Sequence, residues 1–424
     1  MLPTETIANN YHAAGNQFYV NWMMNEYGEI VDLPDSAYNI DDCDLLTPKL
    51  KFLDLFSGCG SFSRGVQDSE TAECRWSIDI DEDCTSSNIL SSIGSTTEFY
   101  QNDSSDILKD LINNNLPFDI NEVDMVISGP PCQGLSSLNK SRLSADATRN
   151  NSLMVNLLSY IDFIRPKFVL IEQVPSFAFR RETNNLEFDA FILFLVSIGY
   201  QIRSQKIDCG NHCVAQNRTR LFIWGARIGY KLPEFPEKSS YNYDEYQKLC
   251  GEIDSISNFP KKYLCAIPPI VLDDAISDLP YIGNGSIYHK NWPDHVVVAL
   301  SDNIQKNVQI LPYDSELSGE QWVYDITRKK ESKESKFKHY YKRADRYKPL
   351  QTVTGNITPL SISLNSIHYE ESRVLSVREC ARAQGFNDSD CFSGSITSKY
   401  KQIANAVPRP VAYAIALELK KALV

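Results

Sequence analysis

The stretch KFLDLFSGCG, residues 51–60, decides the fold. A short apolar run that ends in small residues and glycines indicates a buried strand followed by a tight turn into a helix. Similar apolar runs occur at CRWSID (74–79), DMVISG (124–129), KFVLIE (167–172) and RLFIWGA (220–226). Helical patterns separate them, which is typical of a doubly wound, mostly parallel α/β sheet covered on both faces.

Composition divides the chain into four segments. Residues 1–48 are polar and irregular and predict an N-terminal extension, whereas residues 49–228 carry the alternating strands and helices of the core. Residues 229–372 are rich in Tyr, Pro, Ser and Asn and predict a smaller, irregular lobe. Helical periodicity returns in residues 373–424, which we expect to complete the core. A ligand cleft is expected between the two lobes.

Several classes of protein are excluded or disfavoured. No run approaches the ~18 apolar residues of a membrane span, and the N-terminus lacks the pattern of a secretory signal. The eleven cysteines therefore predict a reducing compartment and free thiols. Cys209, His212 and Cys213 resemble half a zinc site, but no second pair follows at a suitable interval, so we expect no metal. The sequence has no Walker A motif, no HExxH and no Ser-His-Asp order, which disfavours P-loop ATPases, HExxH metalloproteases and serine hydrolases.

The charge is unevenly distributed. The net charge of −12 argues against a nucleic-acid partner, yet Arg328 to Lys348 holds ten Lys/Arg against three Asp/Glu, with four aromatic residues. Composition alone favours a solvated surface for this stretch. The alternative is a surface that contacts phosphates and stacks aromatic rings.

Polar residues follow the first strands, where an open α/β sheet binds its ligands. Asp79 ends the second strand about 20 residues after the glycine turn, the place of a ribose-binding acid; the nearby Asp81 and Glu82 leave this assignment open. Asn102 and Asp103 fall where a third strand could end. For them a helix cap and a cofactor contact are equally good interpretations.

The segment SGPPCQG, residues 128–134, holds a thiol at the carboxyl end of a strand, directly after two prolines that stiffen the segment. A free thiol is only a few per cent thiolate at neutral pH, so a catalytic Cys132 needs a well-placed electrophile. Glu172 ends the neighbouring strand, and because a carboxylate does not favour a thiolate, we assign it to the substrate. Arg218 and Arg220 are spaced i and i+2 at the same edge, a spacing that more often makes salt bridges than binds ligands.

Together these motifs resemble the DNA (cytosine-5) methyltransferase family, and most of all the catalytic domains of its eukaryotic maintenance-type and fungal members. The resemblance covers roughly residues 50–228 and 373–424. It rests on DLFSGCGSFSRG, SGPPCQGLS, EQV, QNRTR, SVRECARAQGF and QIANAVPRPVAYAIALEL, which occur in the family's order. It implies a class I S-adenosylmethionine-dependent fold, double-stranded DNA as the partner, S-adenosylhomocysteine as the product and action in the nucleus.

The resemblance also implies roles for residues. Cys132 would attack C6 of a flipped-out cytosine, Glu172 would contact N3 and the exocyclic amine, and Arg218 and Arg220 would hold the ring, with Arg220 at O2. The implied cofactor site consists of Phe56, Ser57, Gly58, Cys59, Gly60, Asp79, Ile80, Asp103, Asn405 and Val407. Residues 229–372 become a target-recognition domain. The implied DNA contacts are Gln133, Arg328, Lys329, Lys330, Lys342, Arg343 and Arg346.

Two departures from the family pattern matter. Gln173 stands where the family has Asn, an amide that is one methylene longer, which suggests slower chemistry. The chain also lacks large N-terminal targeting modules, so we favour de novo or context-dependent methylation in epigenetic silencing over maintenance, with a chromatin or activator protein as a candidate partner. The alternatives are a weakly active or inactive silencing factor that binds DNA and cofactor, and an RNA cytosine-5 methyltransferase. The absence of a Cys-Phe-Thr sequence disfavours the latter.

Overall fold

The computed structural model describes most of the chain between residue 48 and the C-terminus. The described residues are 48–115, 118–131, 145–179, 186–253, 268–311, 341–360 and 364–424. The predicted N-terminal extension, the predicted nucleophile Cys132 and most of the basic stretch from Arg328 lie outside them.

Seven strands form the central sheet in the order β3-β2-β1-β4-β5-β8-β6. They are β1 (Leu50–Leu55), β2 (Ala72–Asp79), β3 (Glu98–Gln101), β4 (Met125–Ser128), β5 (Phe168–Gln173), β6 (Tyr200–Asp208) and β8 (Thr219–Arg227). The first five strands pair in parallel, which confirms the predicted fold class. A separate two-stranded sheet joins β7 (Gln216–Asn217) to β9 (Leu350–Gln351).

Helices cover both faces of the sheet. They are α1 (Ser61–Asp68), α2 (Glu82–Ser91), α3 (Ser104–Ile112), α4 (Ala145–Ile164), α5 (Leu186–Ser197), α6 (Tyr243–Ile253), α7 (Leu272–Ile276), α8 (Asp302–Gln309), α9 (Val377–Ala383), α10 (Ile396–Asn405) and α11 (Arg409–Leu423). Leu53 and Leu55 pack into an apolar cluster with α3, α4 and α5. Phe52, on the opposite face of the same strand, packs into a cluster with α1 and α11. Within the described residues, every helix is too short or too polar to cross a bilayer.

β8 runs antiparallel to both of its neighbours, β5 and β6, so β6 points in the same direction as the first five strands. The sequence did not predict β6, because its residues 201–206 are mostly polar and lack an apolar run, and all of them are exposed or half-buried. Ten residues separate β6 from β8, which is shorter than the dozen or more that a parallel crossover needs. As a result, β8 begins beside the carboxyl end of β5, and Glu172 pairs with Phe222 across the two strands.

The second lobe and the beginning of the return segment share one apolar cluster. Residues between Ile270 and Tyr369 pack together with residues between Val374 and Ala404. From Val407 onward, the chain packs against the central sheet instead. The predicted domain boundary at residue 373 therefore falls inside a continuous core.

A buried ionic cluster lies at this boundary. Arg373 donates hydrogen bonds to Glu371 at 2.5 and 2.8 Å and to Glu379 at 2.7 and 2.8 Å. Although burial alone would raise it, the Arg373 charge lowers the pKa of Glu379 to about 2. Burial lowers the pKa of the adjacent His368 to about 4, so the imidazole is neutral near pH 7. Glu379 also completes a capping box with Ser376 at the start of α9.

We expect Arg373→Ala to lower the free energy of unfolding by about 3–5 kcal/mol, because it leaves two buried carboxylates without a counter-charge. Arg75→Ala is the matched control, since Arg75 forms a partly exposed pair with Glu73 at 3.5 Å. That variant should lose at most about 1 kcal/mol. Urea unfolding of both variants measures the difference, and equal losses would contradict the importance of the buried cluster.

Candidate active site

The loop after β1 forms one wall of the site. Phe56, Gly58 and Gly60 all adopt positive φ angles, of 62°, 53° and 79°. This succession of left-handed residues turns the backbone sharply into α1 and directs amide groups toward the end of β2. The Ser57 amide donates to the carbonyl of Ile78 at 3.1 Å. The Gly58 amide donates to Asp79 Oδ2 at 2.7 Å, so the structure brings the glycine turn and the predicted ribose acid together.

Glycine is required at position 60 by space as well as by conformation. A β-carbon added there would lie 1.9 Å from Asn88 Oδ1. Asn88 cannot easily move, because it is buried and donates to Ser77 Oγ at 3.1 Å. At Gly58, by contrast, an added β-carbon would have no atom within 4 Å. The loop is therefore packed behind Gly60 and open beside Gly58, where a ligand has room.

Three predicted cofactor residues follow β2 and β3. Burial raises the pKa of Asp79, and hydrogen bonds from the Asp81 and Gly58 amides oppose that shift. Ile80 is 56% exposed, an apolar side chain beside an open loop. Asp103 caps α3 by accepting the Ser105 amide at 2.8 Å, so the helix-cap interpretation is confirmed.

The junction between α10 and α11 lies against the same loop. Ser61 Oγ donates to the Val407 carbonyl at 2.7 Å, and Cys59 Sγ lies 3.9 Å from the Gln402 carbonyl. Val407 is buried, whereas Asn405 is exposed. An adenosyl cofactor needs backbone amides, a carboxylate and an apolar surface. The loop after β1 offers the amides, Asp79 the carboxylate, and Ile80 and the junction between α10 and α11 the apolar surface.

A second wall forms where β5 meets β8. Arg220 Nε lies 2.9 Å from Glu172 Oε1. A β-carbon added to Gly129 would lie 3.6 Å from Glu172 Oε2, so the residues that lead into Cys132 run directly beside this carboxyl group. Burial raises the pKa of Glu172, although the charges of Arg220 and Arg218 oppose the shift. A carboxyl group in this environment keeps a proton to higher pH than an exposed one.

Gln173 connects the same wall to the nucleophile segment. Its Nε2 donates to the Pro130 carbonyl at 2.8 Å, and its Oε1 accepts the Val174 amide at 3.0 Å. The side chain is 1% exposed. The longer amide therefore still reaches the proline segment two residues before Cys132.

The two arginines have different surroundings. Arg218 falls between β7 and β8, is 2% exposed, and donates to the Ala404 carbonyl at 2.8 Å. Arg220 lies within β8 beside Glu172. Arg218 thus links the start of β8 to the end of α10, and Arg220 contacts the Glu172 carboxyl group.

The predicted DNA contacts are described only in part. Gln133, Arg328, Lys329 and Lys330 lie outside the described residues. Arg343 donates to the carbonyls of His368 at 2.6 Å and Glu371 at 2.7 Å, so its guanidinium holds the lobe together. Arg346 pairs with Asp273 and Glu370 at 2.9 and 2.6 Å. Lys342 is half-buried beside them.

Sequence reasoning missed the link between the arginine motif and the second lobe. Gln216 is fully buried, and its Oε1 accepts the Val353 amide at 3.3 Å. Leu350 donates its amide to the Ala215 carbonyl at 2.8 Å. A two-residue strand leaves no periodic signal, and its partner lies more than 130 residues away.

Within the described part of the chain, one group could hold a metal ion: His368, Glu371 and Glu379. Arg373 already bonds both carboxylates, so the cluster is charge-compensated without a cation. Cys209 is buried and His212 lies 3.4 Å from Ser239 Oγ. The seven cysteines whose side chains the structure describes form no disulfide.

Comparisons with known proteins agree with this geometry. A family model for C-5 cytosine-specific DNA methylases matches residues 50–421. DNA (cytosine-5)-methyltransferase 3 of Arabidopsis thaliana is 28% identical over 436 residues, which cover 88% of this chain and 31% of that protein. DNA (cytosine-5)-methyltransferase 1 of Gallus gallus is 28% identical over 469 residues, covering 89% and 30%. The chain thus spans about a third of the length of these relatives.

Solved structures share the fold. A prophage-encoded E. coli protein, described as a putative DNA modification methyltransferase, superposes with a TM-score of 0.59 at 20% identity, covering 88% of this chain and 99% of that one. A methyltransferase of Entamoeba histolytica gives 0.52 at 15% identity, covering 89% and 100%. Because the family model spans most of the chain and its motifs meet at one edge of the sheet, the chain belongs to the C-5 cytosine-specific DNA methylase family, whose methyl donor is S-adenosylmethionine.

Proposed function

We propose that this protein transfers a methyl group from S-adenosylmethionine to C5 of cytosine in DNA. The observation that carries the proposal is the buried contact between Arg220 and Glu172 at 2.9 Å, beside the segment that leads into Cys132. An acid can hold N3 and the exocyclic amine of a cytosine, and a cation can hold O2. Flipping that base out of the duplex costs on the order of a few kcal/mol.

The proposed chemistry begins at Cys132. Its thiolate forms a bond to C6, and the electron pair of the C5–C6 double bond moves toward C5 and the ring. In its protonated form Glu172 donates a hydrogen bond to N3, and Arg220 donates to O2, so both stabilise the developing charge. When bound, S-adenosylmethionine supplies the methyl group to C5 and leaves as S-adenosylhomocysteine. A base then removes the C5 proton, and breaking the S–C6 bond restores the ring and the thiolate.

The residues proposed to hold the cofactor surround the loop after β1. The backbone of residues 56–60 would pass beside the methionine part, and Asp79 would accept the ribose hydroxyls. Ile80 would pack on the adenine, and Asp103 would accept a hydrogen bond from the adenine amine. Asn405 and Val407 would close the methionine end.

The second lobe is proposed to recognise the DNA target. Phosphate contacts would come from Arg328, Lys329, Lys330 and Lys342, and Gln133 would contact the DNA beside the flipped base. Arg343 and Arg346 would act by holding the lobe in shape, since their guanidinium groups bond carbonyls and carboxylates of the same lobe. The eukaryotic relatives support a nuclear setting. The proposal adds de novo or context-dependent methylation in silencing, with a chromatin or activator protein as partner.

The test is transfer of labelled methyl to unmethylated duplexes, hemimethylated duplexes and structured RNA. Incorporation into DNA should disappear in Cys132→Ala and persist in the control Cys391→Ala, whose thiol lies outside the site. Equal transfer to both duplexes would support de novo activity. Binding of cofactor and DNA without any transfer would support the silencing factor, and preferential transfer to RNA would overturn the DNA assignment.

Gln173→Ala should lower kcat by about 10- to 100-fold, because it frees the buried Pro130 carbonyl and lets the nucleophile segment shift. Gln173→Asn should be intermediate, since its shorter side chain reaches Pro130 poorly. The affinity for S-adenosylmethionine should stay unchanged in both, because the cofactor wall lies on other strands. Single-turnover kinetics with cofactor titration measure the two effects, and a kcat within two-fold of the parent would refute the role of Gln173.

A further inference from the structure

A groove extends from the base side of the site to the second lobe. One cavity of about 490 Å³ is lined in part by Asn217, Arg220 and Thr352. A second cavity of about 260 Å³ is lined in part by Asn217, Gln351 and Asn365. Because Asn217 lines both, the two cavities meet at this residue.

Two amide side chains stand next to each other in this groove. Asn217 of β7 pairs in register with Gln351 of β9, and the strands are parallel. Paired residues of neighbouring strands place their side chains on the same face of the sheet. Both residues are exposed, whereas the preceding pair, Gln216 and Leu350, is buried. Thr352 Oγ1 donates to the Asn217 carbonyl at 2.6 Å and fixes the backbone beside the pair.

The two amides keep hydrogen-bonding capacity for a ligand. Gln351 Oε1 accepts the Asn365 amide at 3.2 Å, which leaves the two N–H donors of its own side chain. The Asn217 side chain has no polar partner among the described residues, so its donor and acceptor both face the groove. An amide of this kind pairs with the edge of an adenine through N6 and N7.

The balance of charges in the groove favours contact with DNA bases over contact with DNA phosphates. Its cations are Arg218, Arg220 and Lys348, and its anions are Asp208, Asp244 and Asp345. A surface that binds the DNA backbone carries an excess of cations. A balanced groove lined by amides instead offers donors and acceptors to base edges.

We infer that Asn217 and Gln351 form a base-reading pair that sets the preference for an A·T base pair flanking the target cytosine. The inference rests on the proposed function and deepens it, because it assigns sequence preference to a pair contributed by both lobes. Neither residue belongs to the group around Glu172 that acts on the reacting base.

The experiment uses a pool of duplexes in which the base pairs flanking one cytosine are randomised. The parent protein should favour adenine at one flanking position by about 5- to 100-fold, the discrimination expected of an amide–adenine pair. Asn217→Ala and Gln351→Ala should each weaken the preference at that same position, and the double variant should lose little more than either single variant. Total transfer to the pool should fall less than about five-fold, whereas loss of the reacting groups would stop it.

Gln201→Ala is the matched control, since this exposed amide lies on β6 at the end of the sheet remote from Asp208. It should keep the parent preference. Unchanged flanking preference in Asn217→Ala and Gln351→Ala, or changes at unrelated positions, would overturn the inference. The duplexes that the protein binds are also isolated from the same pool and sequenced. This binding readout tests the flanking preference even if no methyl is transferred. An absence of methyl transfer would contradict the proposed function and leave the inference about flanking bases to the binding readout.

Discussion

Glu172→Gln is expected to lower kcat/KM for methyl transfer to DNA by about 10²- to 10⁴-fold, the range typical of a general acid. The substitution keeps the size of the side chain but removes the proton that can be donated to N3. The amide oxygen can still accept from Arg220, whose Nε lies 2.9 Å from Glu172 Oε1 in the parent. Burial raises the pKa of Glu172, so the protonated form persists to higher pH than in an exposed carboxyl group. The kcat/KM of the parent should fall as the pH rises through this raised pKa. The kcat/KM of the variant should show no such fall, because the glutamine side chain does not titrate.

The control for this prediction is Glu73→Gln, at the opposite end of the sheet. Glu73 lies early in β2 and forms a partly exposed pair with Arg75. Its replacement should leave kcat/KM within two-fold and the pH profile unchanged. Cofactor affinity, measured by calorimetry, should be the same in both variants and the parent. A loss below ten-fold in Glu172→Gln, or an unaltered pH profile, would show that Glu172 does not act as the acid.

Gly60→Ala is expected to remove cofactor binding and to destabilise the fold. The left-handed backbone, with φ of 79°, costs a residue with a side chain about 1–2 kcal/mol. The added methyl group would also collide with the buried Asn88 at 1.9 Å, and overpacking of this kind costs about 1–3 kcal/mol more. Relief of the collision must shift the loop after β1, so the dissociation constant for S-adenosylmethionine should rise by at least about ten-fold.

Gly94→Ala separates the two contributions. Gly94 has a similar φ of 86°, yet an added β-carbon would meet no atom within 4 Å. This variant should show the backbone cost alone in urea unfolding and should bind the cofactor normally in calorimetry. If the two alanine variants lose equal stability and both bind the cofactor, the packing argument at Gly60 is wrong.

The sequence predicted what depends on local pattern. The five runs that carry core strands are short and rich in apolar residues, and each corresponds to a mostly buried strand of the sheet. The cap at Asp103 was among the predicted alternatives because a cap is formed within two residues. The family motifs likewise predicted which residues lie close together in the loop after β1 and in the wall around Glu172.

Features that depend on distant pairing were not predictable. The spacing of Arg218 and Arg220 predicted that both lie on one face of a single strand. In the structure β7 ends at Asn217 and β8 begins at Thr219, so Arg218 lies between two strands. Arg218 therefore donates to the Ala404 carbonyl, whereas Arg220 contacts Glu172. The in-register amides of Asn217 and Gln351 depend on a pairing across 134 residues, since 351 − 217 = 134. No local preference encodes such a contact.

The hydrogen bond from Arg218 to the Ala404 carbonyl has a thermodynamic consequence. Ala404 precedes Asn405 on the cofactor side, whereas Arg218 lies two residues before Arg220 on the base side. A ligand that orders either wall reduces the conformational entropy that the other ligand must still remove. Cofactor and target DNA should therefore bind cooperatively, and each should raise the affinity of the other by the same factor.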